Sequence, residues 1–477
     1  MTTEGPSTTF TGDPICSLTA REAVGFLQRG ELSPHALIEA SLTRIAAVSP
    51  SVNATVTVCP ERAREAAGAV DRFSLLAGLP VGIKDLTPVA GVRTTWGTKA
   101  FAEFVPTHSA ALVARIEDRG GIVIGKTNTP EFGAGANTFN AVFGPTRNPW
   151  DTRMNAAGSS GGAAVSLAVG EAWLSHGSDL GGSLRTPASF NRVVGLRPSP
   201  GLVANDSAQG FDTLSVQGPM ARNVADCALF LDALTGFDPI SPISHPPSGS
   251  YLAACLRDPG PVRIAFAPDM GGLAPVTPAI RETLAAGLAR LNGTGFDVIE
   301  DAPDADGIDR CFRTLRAFSF WTGERDVPES VNRHYKATLA QNITEGRNQS
   351  MDAVAAAMTL RSQIYDRFRA FLSRYDVLAC PVSGIGPLPV EFEYPPEVDG
   401  QESVDYLDWL RFAFPATLCG LPALSLPLGF DPDGMPVGIQ LIGQPRGEAR
   451  LLQIAQGLES LLGLDLKPID PVVRHLS

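Results

Sequence analysis

The chain reads Gly158-Ser159-Ser160-Gly161-Gly162 near its first third, and a second glycine-serine segment follows as Asp179-Leu180-Gly181-Gly182-Ser183-Leu184-Arg185. The glycines let consecutive backbone N–H groups turn towards one point and let a substrate come close to the main chain. Several N–H groups that point into one concavity can stabilise the oxyanion of an acyl transfer. The charged residues and apolar runs embedded here argue against a flexible glycine-serine linker.

Together with Val81-Gly82-Ile83-Lys84-Asp85 upstream, these two segments resemble the motifs of the amidase signature family. The three segments stand in the order and at the spacing of that family. Further matching segments extend the resemblance over most of the chain, and they are 125–132, 146–150, 194–198, 420–423 and 435–443. The chain departs from the family at Ala157, where glycine is usual, and at Ser178, where threonine is common.

The resemblance implies an α/β fold, a single large domain with a central mixed β-sheet covered by helices on both faces. Residues 17–477 would form this domain, and residues 1–16 would be a flexible N-terminal tail. The residues themselves predict the same class, because helix-like and strand-like segments alternate along the chain. The stretch 238–250, rich in Pro, Ser and Gly, is interpreted as a long surface loop within the domain.

Local signals predict where several elements begin and end. Thr19-Ala20-Arg21-Glu22 fits a capping box that begins a helix ending near Arg29. Ser33-Pro34 predicts the start of a second helix, which we expect to stop before Pro50. The apolar segment 79–83 predicts a strand that carries Lys84 at its end.

Bulk composition excludes several classes of protein. With 44% hydrophobic and 18% charged residues, the 477-residue chain is an ordinary globular sequence. Its net charge of −12 argues against nucleic acid or an anionic membrane as the main partner. The seven cysteines stand singly and indicate free, mostly buried thiols in a reducing compartment. The polar N-terminal segment and the lack of any apolar run of membrane-spanning length predict a soluble, cytoplasmic protein.

Amide hydrolysis requires a nucleophile, a base and a site for negative charge on oxygen. A lysine can be the base when burial lowers its pKa, and Lys84 follows an apolar strand. By the resemblance, Ser183 is the nucleophile, Ser159 relays the proton and Lys84 is the base. The resemblance also places a non-proline cis peptide bond between Gly158 and Ser159. The oxyanion hole would consist of the backbone N–H groups of Leu180, Gly181, Gly182 and Ser183.

Other polar residues near these motifs are given supporting roles. Asp179 and Arg185 are predicted to form an ion pair that holds the loop, and Ser160 to hydrogen-bond within the cluster. The resemblance places Gly133, with Ser159, against the substrate. Asp85 and Lys126 are interpreted as structural. No metal or cofactor is predicted, because His, Asp and Glu do not cluster at metal-ligand spacing.

The expected substrate is a small molecule with a linear amide bond, cleaved through an acyl-enzyme by a monomer or homodimer. Carbamate (urethane) and ester bonds are possible side substrates by the resemblance. Segment 410–419 lacks the aspartate and tyrosine that tRNA amidotransferase subunits of the family tend to carry there, which argues against glutamine-dependent transamidation. Aromatic residues between 311 and 335 either line an acyl or aryl pocket or pack in the core, and they are Phe312, Phe318, Phe320, Trp321 and Tyr335.

Two other interpretations are weighed against this one. Residues 158–162 also satisfy the G-x-S-x-G nucleophile elbow with Ser160 central, which would indicate an α/β-hydrolase esterase. That elbow follows a strand, whereas the lead-in 148–155 is rich in turn formers. The histidine that it needs would have to come from positions such as 176, 245, 334 or 475. The second alternative, a non-catalytic amidase-like binding protein, is disfavoured because all three predicted catalytic residues are present.

Overall fold

The computed structural model describes residues 5–475 of the chain. Its strands are β1 (Thr55–Val58), β2 (Pro80–Lys84), β3 (Ile122–Thr127), β4 (Phe139–Asn140), β5 (Gly144–Pro145), β6 (Leu174–Asp179), β7 (Val194–Arg197), β8 (Val216–Ala221), β9 (Val262–Phe266), β10 (Phe296–Glu300), β11 (Val377–Pro381), β12 (Glu397–Val398), β13 (Gln401–Glu402), β14 (Ala423–Phe430) and β15 (Pro436–Ile442).

The helices that flank these strands are α1 (Pro14–Ser17), α2 (Ala20–Arg29), α3 (Pro34–Val52), α4 (Pro60–Ala67), α5 (Ala111–Asp118), α6 (Gly161–Ala168), α7 (Arg185–Phe190), α8 (Val224–Leu234), α9 (Tyr251–Cys255), α10 (Pro278–Ala289), α11 (Ile308–Glu324), α12 (Glu329–Asn332), α13 (Ala337–Arg347), α14 (Met351–Leu372), α15 (Phe414–Cys419) and α16 (Glu448–Leu462). Short 3₁₀ turns cover Lys99–Phe101, Glu131–Gly133 and Asp408–Ala413.

One mixed sheet organises the described part of the chain. Its eleven strands lie in the order β1-β3-β2-β6-β8-β7-β14-β15-β11-β9-β10. The β3-β2-β6 and β11-β9-β10 groups are parallel, whereas the central pairs from β6 to β11 are antiparallel. Strands on both sides of the loop 238–250 belong to this sheet, so the predicted single α/β domain with a central mixed sheet is confirmed.

Helix starts follow the capping signals in the sequence. At α2, the Thr19 hydroxyl accepts from the Glu22 N–H and the Glu22 carboxylate accepts from the Thr19 N–H, which completes the predicted capping box. The prediction that α3 stops before Pro50 is wrong, because this helix continues to Val52. Proline removes one hydrogen bond in the last turn, but Val48 and Val52 are buried in an apolar cluster that holds this turn in place.

The segment before α2 lies against the domain. The Thr11 N–H donates to the Asp470 carboxylate at 2.9 Å, Arg44 stacks on the Phe10 ring, and Cys16 in α1 is buried. Residues 1–4 of the predicted tail lie outside the described residues, and the division of the chain at residue 16 stays a prediction. All seven cysteines are buried and free, as expected from their spacing. Among residues 5–475, no helix is long and apolar enough to cross a bilayer.

The neighbouring parallel strands β2 and β6 position the polar motifs. Both run through the core: β2 is buried along its whole length, and its last residue is Lys84. Parallel neighbours present their carboxyl ends at the same sheet edge, so Lys84 at the end of β2 lies beside Ser178 and Asp179 at the end of β6. Helix α6 begins at Gly161 and packs on β6, which brings the Ser159-Ser160 pair to that edge.

Candidate active site

Three hydroxyl groups surround the amine of Lys84. This side chain is fully buried, and its Nζ lies 2.6 Å from Ser159 Oγ, 2.9 Å from Ser160 Oγ and 3.0 Å from Ser178 Oγ. Burial lowers the pKa of Lys84 to about 7, against the attraction of Asp179, which raises it. The amine is therefore substantially uncharged at neutral pH and in contact with proton donors.

The Gly158–Ser159 peptide bond is cis, as the resemblance implied. Ser160 follows it as the N-cap of α6 and links the two motif segments, because its backbone N–H donates to the Ser183 carbonyl at 3.2 Å. The Ser160 hydroxyl also donates to the Ser178 carbonyl at 3.3 Å. The predicted supporting position of Ser160 within the cluster agrees with these contacts.

The loop that carries Ser183 is fixed by the buried carboxylate of Asp179. Arg185 donates to its two oxygens at 2.8 and 3.0 Å, as predicted, and Arg197, which the sequence did not indicate, lies 3.2 Å from one of them. Burial acts to raise the pKa of Asp179, but the two guanidinium groups outweigh it and hold this pKa well below its usual range. The carboxylate also accepts from the N–H groups of Gly182 and Leu184, both at 3.1 Å.

Backbone N–H groups of this loop are available for an oxyanion. Within residues 5–475, the N–H groups of Leu180, Gly181 and Ser183 donate no hydrogen bond to the protein. The Gly182 N–H, predicted as a fourth donor, is taken by Asp179, so Gly182 leaves the set. Its φ of +96° and the 2.9 Å approach of Ala413 to a Cβ placed there show that Gly182 shapes the turn instead.

A small cavity opens beside these groups, which we call the active-site cavity. It has a volume of about 100 Å³, and its walls include Leu86, Gly133, Ser159, Ser183, Arg316 and Tyr406. Gly133 has a φ of +70°, and a Cβ placed on it would lie 3.5 Å from Ser159 Oγ. Of the predicted site residues, Gly133, Ser159, Leu180, Gly181 and Ser183 line this cavity, and Lys84 contacts Ser159. Within residues 5–475, Ser183 Oγ makes no hydrogen bond to Ser159 or Lys84, so the structure shows Ser183 only as a neighbour on the same cavity.

Comparison with known proteins identifies the family of the chain. A family model described as Amidase matches residues 36–452. The chain belongs to the amidase signature family. As a member of it, the protein is a hydrolase of amides. An acylamidase of Rhodococcus erythropolis is 34% identical, over 96% of this chain and 98% of that relative. A glutamyl-tRNA(Gln) amidotransferase subunit from Moorella thermoacetica is 35% identical, over 93% of this chain and 96% of that relative.

Solved amidase signature structures share the fold. A bacterial aryl acylamidase of the family superposes with a TM-score of 0.88 at 25% identity and covers 94% of this chain and 97% of its own. A substrate complex of 6-aminohexanoate cyclic dimer hydrolase superposes with a TM-score of 0.85 at 26% identity, over 96% of this chain and 99% of its own. The mixed eleven-stranded sheet of this amidase is therefore the family's sheet.

The contacts of Ser160 do not support the esterase alternative. Its hydroxyl accepts from the Lys84 amine, and no histidine within residues 5–475 hydrogen-bonds to it. The buried histidine nearest in sequence, His176, shares a hydrogen bond of 2.9 Å with Gln217 instead. The lead-in before Gly158 also lacks a strand of the main sheet, which the nucleophile elbow requires.

Sequence reasoning on this amidase missed much of the cavity wall. Arg316 of α11, Tyr406 and Leu410 line it without having been predicted, beside Phe320, which is one of the aromatic pocket candidates. The aromatic stretch 311–335 divides between the two interpretations. Phe320 faces the cavity, whereas Phe312 is buried and stacks on Phe414 with ring centroids 3.7 Å apart. Arg316 stands four positions before Phe320 on the same helix, so helical spacing from Phe320 is a signal that indicates it. No local signal in the sequence indicates that Tyr406 lies at the cavity.

Asp85 and Lys126 form a second buried ion pair next to the site. Lys126 Nζ lies 3.3 Å from Asp85 Oδ1 and also donates to the Thr87 carbonyl and the Thr94 hydroxyl. Asp85 further accepts from Thr95. None of these contacts involves the three serines around Lys84, which supports the structural interpretation of Asp85 and Lys126.

Proposed function

We propose that this chain hydrolyses linear carbon–nitrogen amide bonds through an acyl-enzyme intermediate on Ser183. The observation that carries the proposal is the 2.6 Å contact between the buried Lys84 amine and Ser159 Oγ, on a cavity that Ser183 also lines. A serine hydroxyl is too weak an acid to attack an amide unaided at neutral pH, so a base must take its proton. Lys84, with its pKa lowered to about 7 by burial, is suited to that role.

In the proposed acylation, Ser183 Oγ attacks the substrate carbonyl carbon while its proton passes to Ser159, whose own proton passes to Lys84. The carbonyl oxygen becomes an oxyanion that accepts from the N–H groups of Leu180, Gly181 and Ser183. The tetrahedral intermediate then collapses: the C–N bond breaks, and the departing amine takes a proton from Lys84 through Ser159. The acyl group remains on Ser183 as an ester.

Deacylation follows the same path with water in place of the amine. Water adds to the ester carbonyl as its proton passes through Ser159 to Lys84, and the proton then returns to Ser183 as the C–O bond breaks. Each donor of an oxyanion hole is typically worth about 3–4 kcal/mol of barrier. Three aligned N–H groups therefore supply a large share of the required stabilisation.

We also propose carbamate and ester bonds as side substrates. Attack on a urethane or ester carbonyl gives the same kind of tetrahedral oxyanion, so the same groups serve. The names of the similar enzymes, an acylamidase and an aryl acylamidase, support acyl and aryl amides as the main class. The small volume of the cavity, about 100 Å³, favours a short group next to the scissile carbonyl.

A second candidate is a glutamine-hydrolysing role, because the chain is 35% identical to a subunit of a glutamyl-tRNA(Gln) amidotransferase. Leu410 argues against it, since this apolar residue lines the cavity in the segment where such subunits tend to carry an acid. L-glutamine belongs in the substrate panel for this reason. Ammonia release from glutamine at a rate above that from simple acyl anilides would favour this candidate.

The setting of the enzyme is proposed as well. We propose a cytoplasmic monomer or homodimer that acts on small molecules and not on nucleic acids or membranes. Seven buried free thiols support a reducing compartment, and a net charge of −12 disfavours polyanionic partners. Light scattering of the purified chain would test the oligomeric part of this proposal.

The test is a panel of anilides, alkyl amides, carbamates and esters with wild type beside Ser183→Ala. The proposal expects hydrolysis of short acyl anilides by wild type and a loss of about 10⁴-fold or more in the variant. Ser160→Ala serves as a matched control, because it removes a neighbouring hydroxyl from Lys84 and leaves the relay in place. Turnover that survives in Ser183→Ala would contradict the nucleophile assignment.

A further inference from the structure

The active-site cavity contains a buried guanidinium group that the proposed mechanism does not use. Arg316 lies on α11, is 4% exposed and lines the same cavity as Ser159 and Ser183. Its Cζ lies 4.3 Å from the Phe320 ring centroid and 5.3 Å from that of Tyr406, so two aromatic rings flank it. The group is thus held in place at the cavity wall and screened from bulk water.

Arg316 makes no ion pair within residues 5–475. Arg185 and Arg197, which are similarly buried, share the carboxylate of Asp179. Arg222 is also buried without a carboxylate in contact, but it donates to two backbone carbonyls and lies outside the active-site cavity. A buried cation without an anion costs several kcal/mol of folding free energy, so such a group at a cavity wall points to a ligand that supplies the charge.

The hydrogen bonds of Arg316 and Tyr406 leave some of their N–H and O–H donors unused, whereas the acceptor sites of the Tyr406 oxygen are occupied. Its Nη1 donates to Asn342 Oδ1 at 3.1 Å and its Nη2 to the Tyr406 hydroxyl, which uses two of the five N–H groups of a guanidinium. Tyr406 Oη also accepts from Asn342 Nδ2 at 2.8 Å. Since both oxygen lone pairs are taken, the Tyr406 O–H proton is left to donate elsewhere.

Tyr406 remains a donor at neutral pH. Burial raises its pKa, and the nearby guanidinium, which lowers it, does not cancel the effect. Like Arg316, Tyr406 lines the cavity. The cavity wall therefore presents a fixed cation and a hydroxyl donor side by side, and a planar group with two acceptor oxygens and a negative charge matches them.

We infer that Arg316 and Tyr406 bind a carboxylate of the substrate, so that this enzyme prefers amides that carry a carboxylate a short distance from the scissile bond. The inference rests on the proposed function and narrows its substrate class. The carboxylate belongs either to the acyl part or to the amine part of the amide. Both placements use the same chemistry, and the experiment separates them.

The experiment compares charged and neutral versions of one amide. In the acyl arm, glutaryl para-nitroanilide is paired with 5-methylhexanoyl para-nitroanilide; in the amine arm, N-acetyl-para-aminobenzoate is paired with N-acetyl-para-isopropylaniline. Wild type is expected to favour the charged partner of at least one arm by about 10- to 100-fold in kcat/KM, the range of a charge-assisted hydrogen-bond pair. The arm with the preference identifies where the carboxylate lies. Equal kcat/KM for the charged and neutral partners in both arms would overturn the inference while leaving the amidase proposal intact.

Arg316→Gln is expected to abolish the preference by slowing the charged substrate and changing the neutral one less than about 3-fold. Arg316→Lys keeps the positive charge but loses the paired N–H donors of the guanidinium. Its preference for the charged substrate is expected to lie between those of wild type and Arg316→Gln. Arg313→Gln is the matched control, because Arg313 lies on the same helix and pairs with Asp405 and Asp408 on either side of Tyr406. Arg313→Gln is expected to show the same preference for the charged substrate as wild type. An equal loss on both substrates in Arg316→Gln would assign the residue to structure and overturn the inference.

Binding separates this inference from the proposed catalytic role. In Ser183→Ala, calorimetry is expected to show tighter binding of the charged partner, and Arg316→Gln in that background to remove the difference. Melting temperatures of all variants identify any that fail to fold. If Arg316→Gln does not fold, the preference for the charged substrate is measured in Arg316→Lys instead. A binding preference in a protein that hydrolyses none of the amides would support the carboxylate site and contradict the proposed function.

Discussion

The amine of Lys84 and the hydroxyl of Ser159 are 2.6 Å apart, and both side chains are buried at the carboxyl edge of β2. The contact joins a lysine at the end of one strand to a serine that precedes α6, 75 positions further along the chain. Because the amine meets hydroxyl groups, it can take a proton when uncharged. The first prediction follows from that charge state.

The pH dependence of kcat/KM on a neutral acyl anilide is expected to show one rising limb with an inflection near the pKa of Lys84, about 7, and a plateau above it. Burial lowers this pKa, so the uncharged, basic form gains population as pH rises through that value. Lys84→Ala is expected to lower the plateau by about 10²- to 10⁴-fold and to remove the inflection.

Two other buried groups serve as controls for that profile. Burial raises the pKa of Glu171 to about 7 as well, but its carboxylate accepts from Thr55 away from the cavity, so Glu171→Gln should retain the inflection. Burial lowers the pKa of His176 to about 3, which removes it from this range. An inflection lost in Glu171→Gln and kept in Lys84→Ala would refute the assignment of the base.

Asp179→Asn is expected to lower the free energy of unfolding by about 3–5 kcal/mol, because it leaves Arg185 and Arg197 buried without a counter-charge. Urea denaturation at neutral pH measures the change. Glu39→Gln is a suitable control, since it breaks an exposed ion pair with Arg64 and should leave the unfolding curve unmoved. A near-wild-type curve for Asp179→Asn would show that the carboxylate does not hold the loop.

Gly133→Ala is expected to lower kcat/KM at least 10-fold, because the new methyl group would lie 2.9 Å from Leu86 and 3.5 Å from Ser159 Oγ. Gly91→Ala is the matched control: Gly91 has nearly the same φ, +74°, and open space around a Cβ. Both variants should lose about 1–2 kcal/mol of stability from the left-handed backbone. Equal kinetic effects in the two variants would remove Gly133 from the substrate site.

The sequence indicates the proposed reacting groups of this amidase more readily than it indicates their surroundings. Lys84, Ser159 and Ser183 stand in short glycine-rich motifs, and Asp179 and Arg185 are six positions apart in one loop, so local patterns indicate them. Strands β6 and β8 escape prediction, because their glycines and polar residues break the apolar alternation that marks a strand. Strand β6 nevertheless carries Ser178 and Asp179 into the site.

The residues that surround the reacting groups cannot be predicted from local sequence patterns, for a different reason. Arg197 reaches Asp179 from β7, which is separated from β6 by β8, and Tyr406 reaches Arg316 across 90 positions of chain. Such contacts depend on how strands and helices are ordered in space, which residue spacing does not determine. Local pattern also fails at the proline within α3, where it predicts that the helix ends. The burial of Val48 and Val52 outweighs that local signal, and the helix continues to Val52.

The most direct test of the central claim is to locate the acyl group on the enzyme. Wild type is mixed with a short para-nitrophenyl ester, quenched in acid during turnover and digested with trypsin, and fragment ions are read across residues 154–185. The account predicts an acyl adduct on Ser183 that is absent from Ser183→Ala. An adduct on Ser159 or Ser160, or full turnover with no adduct on Ser183, would contradict it.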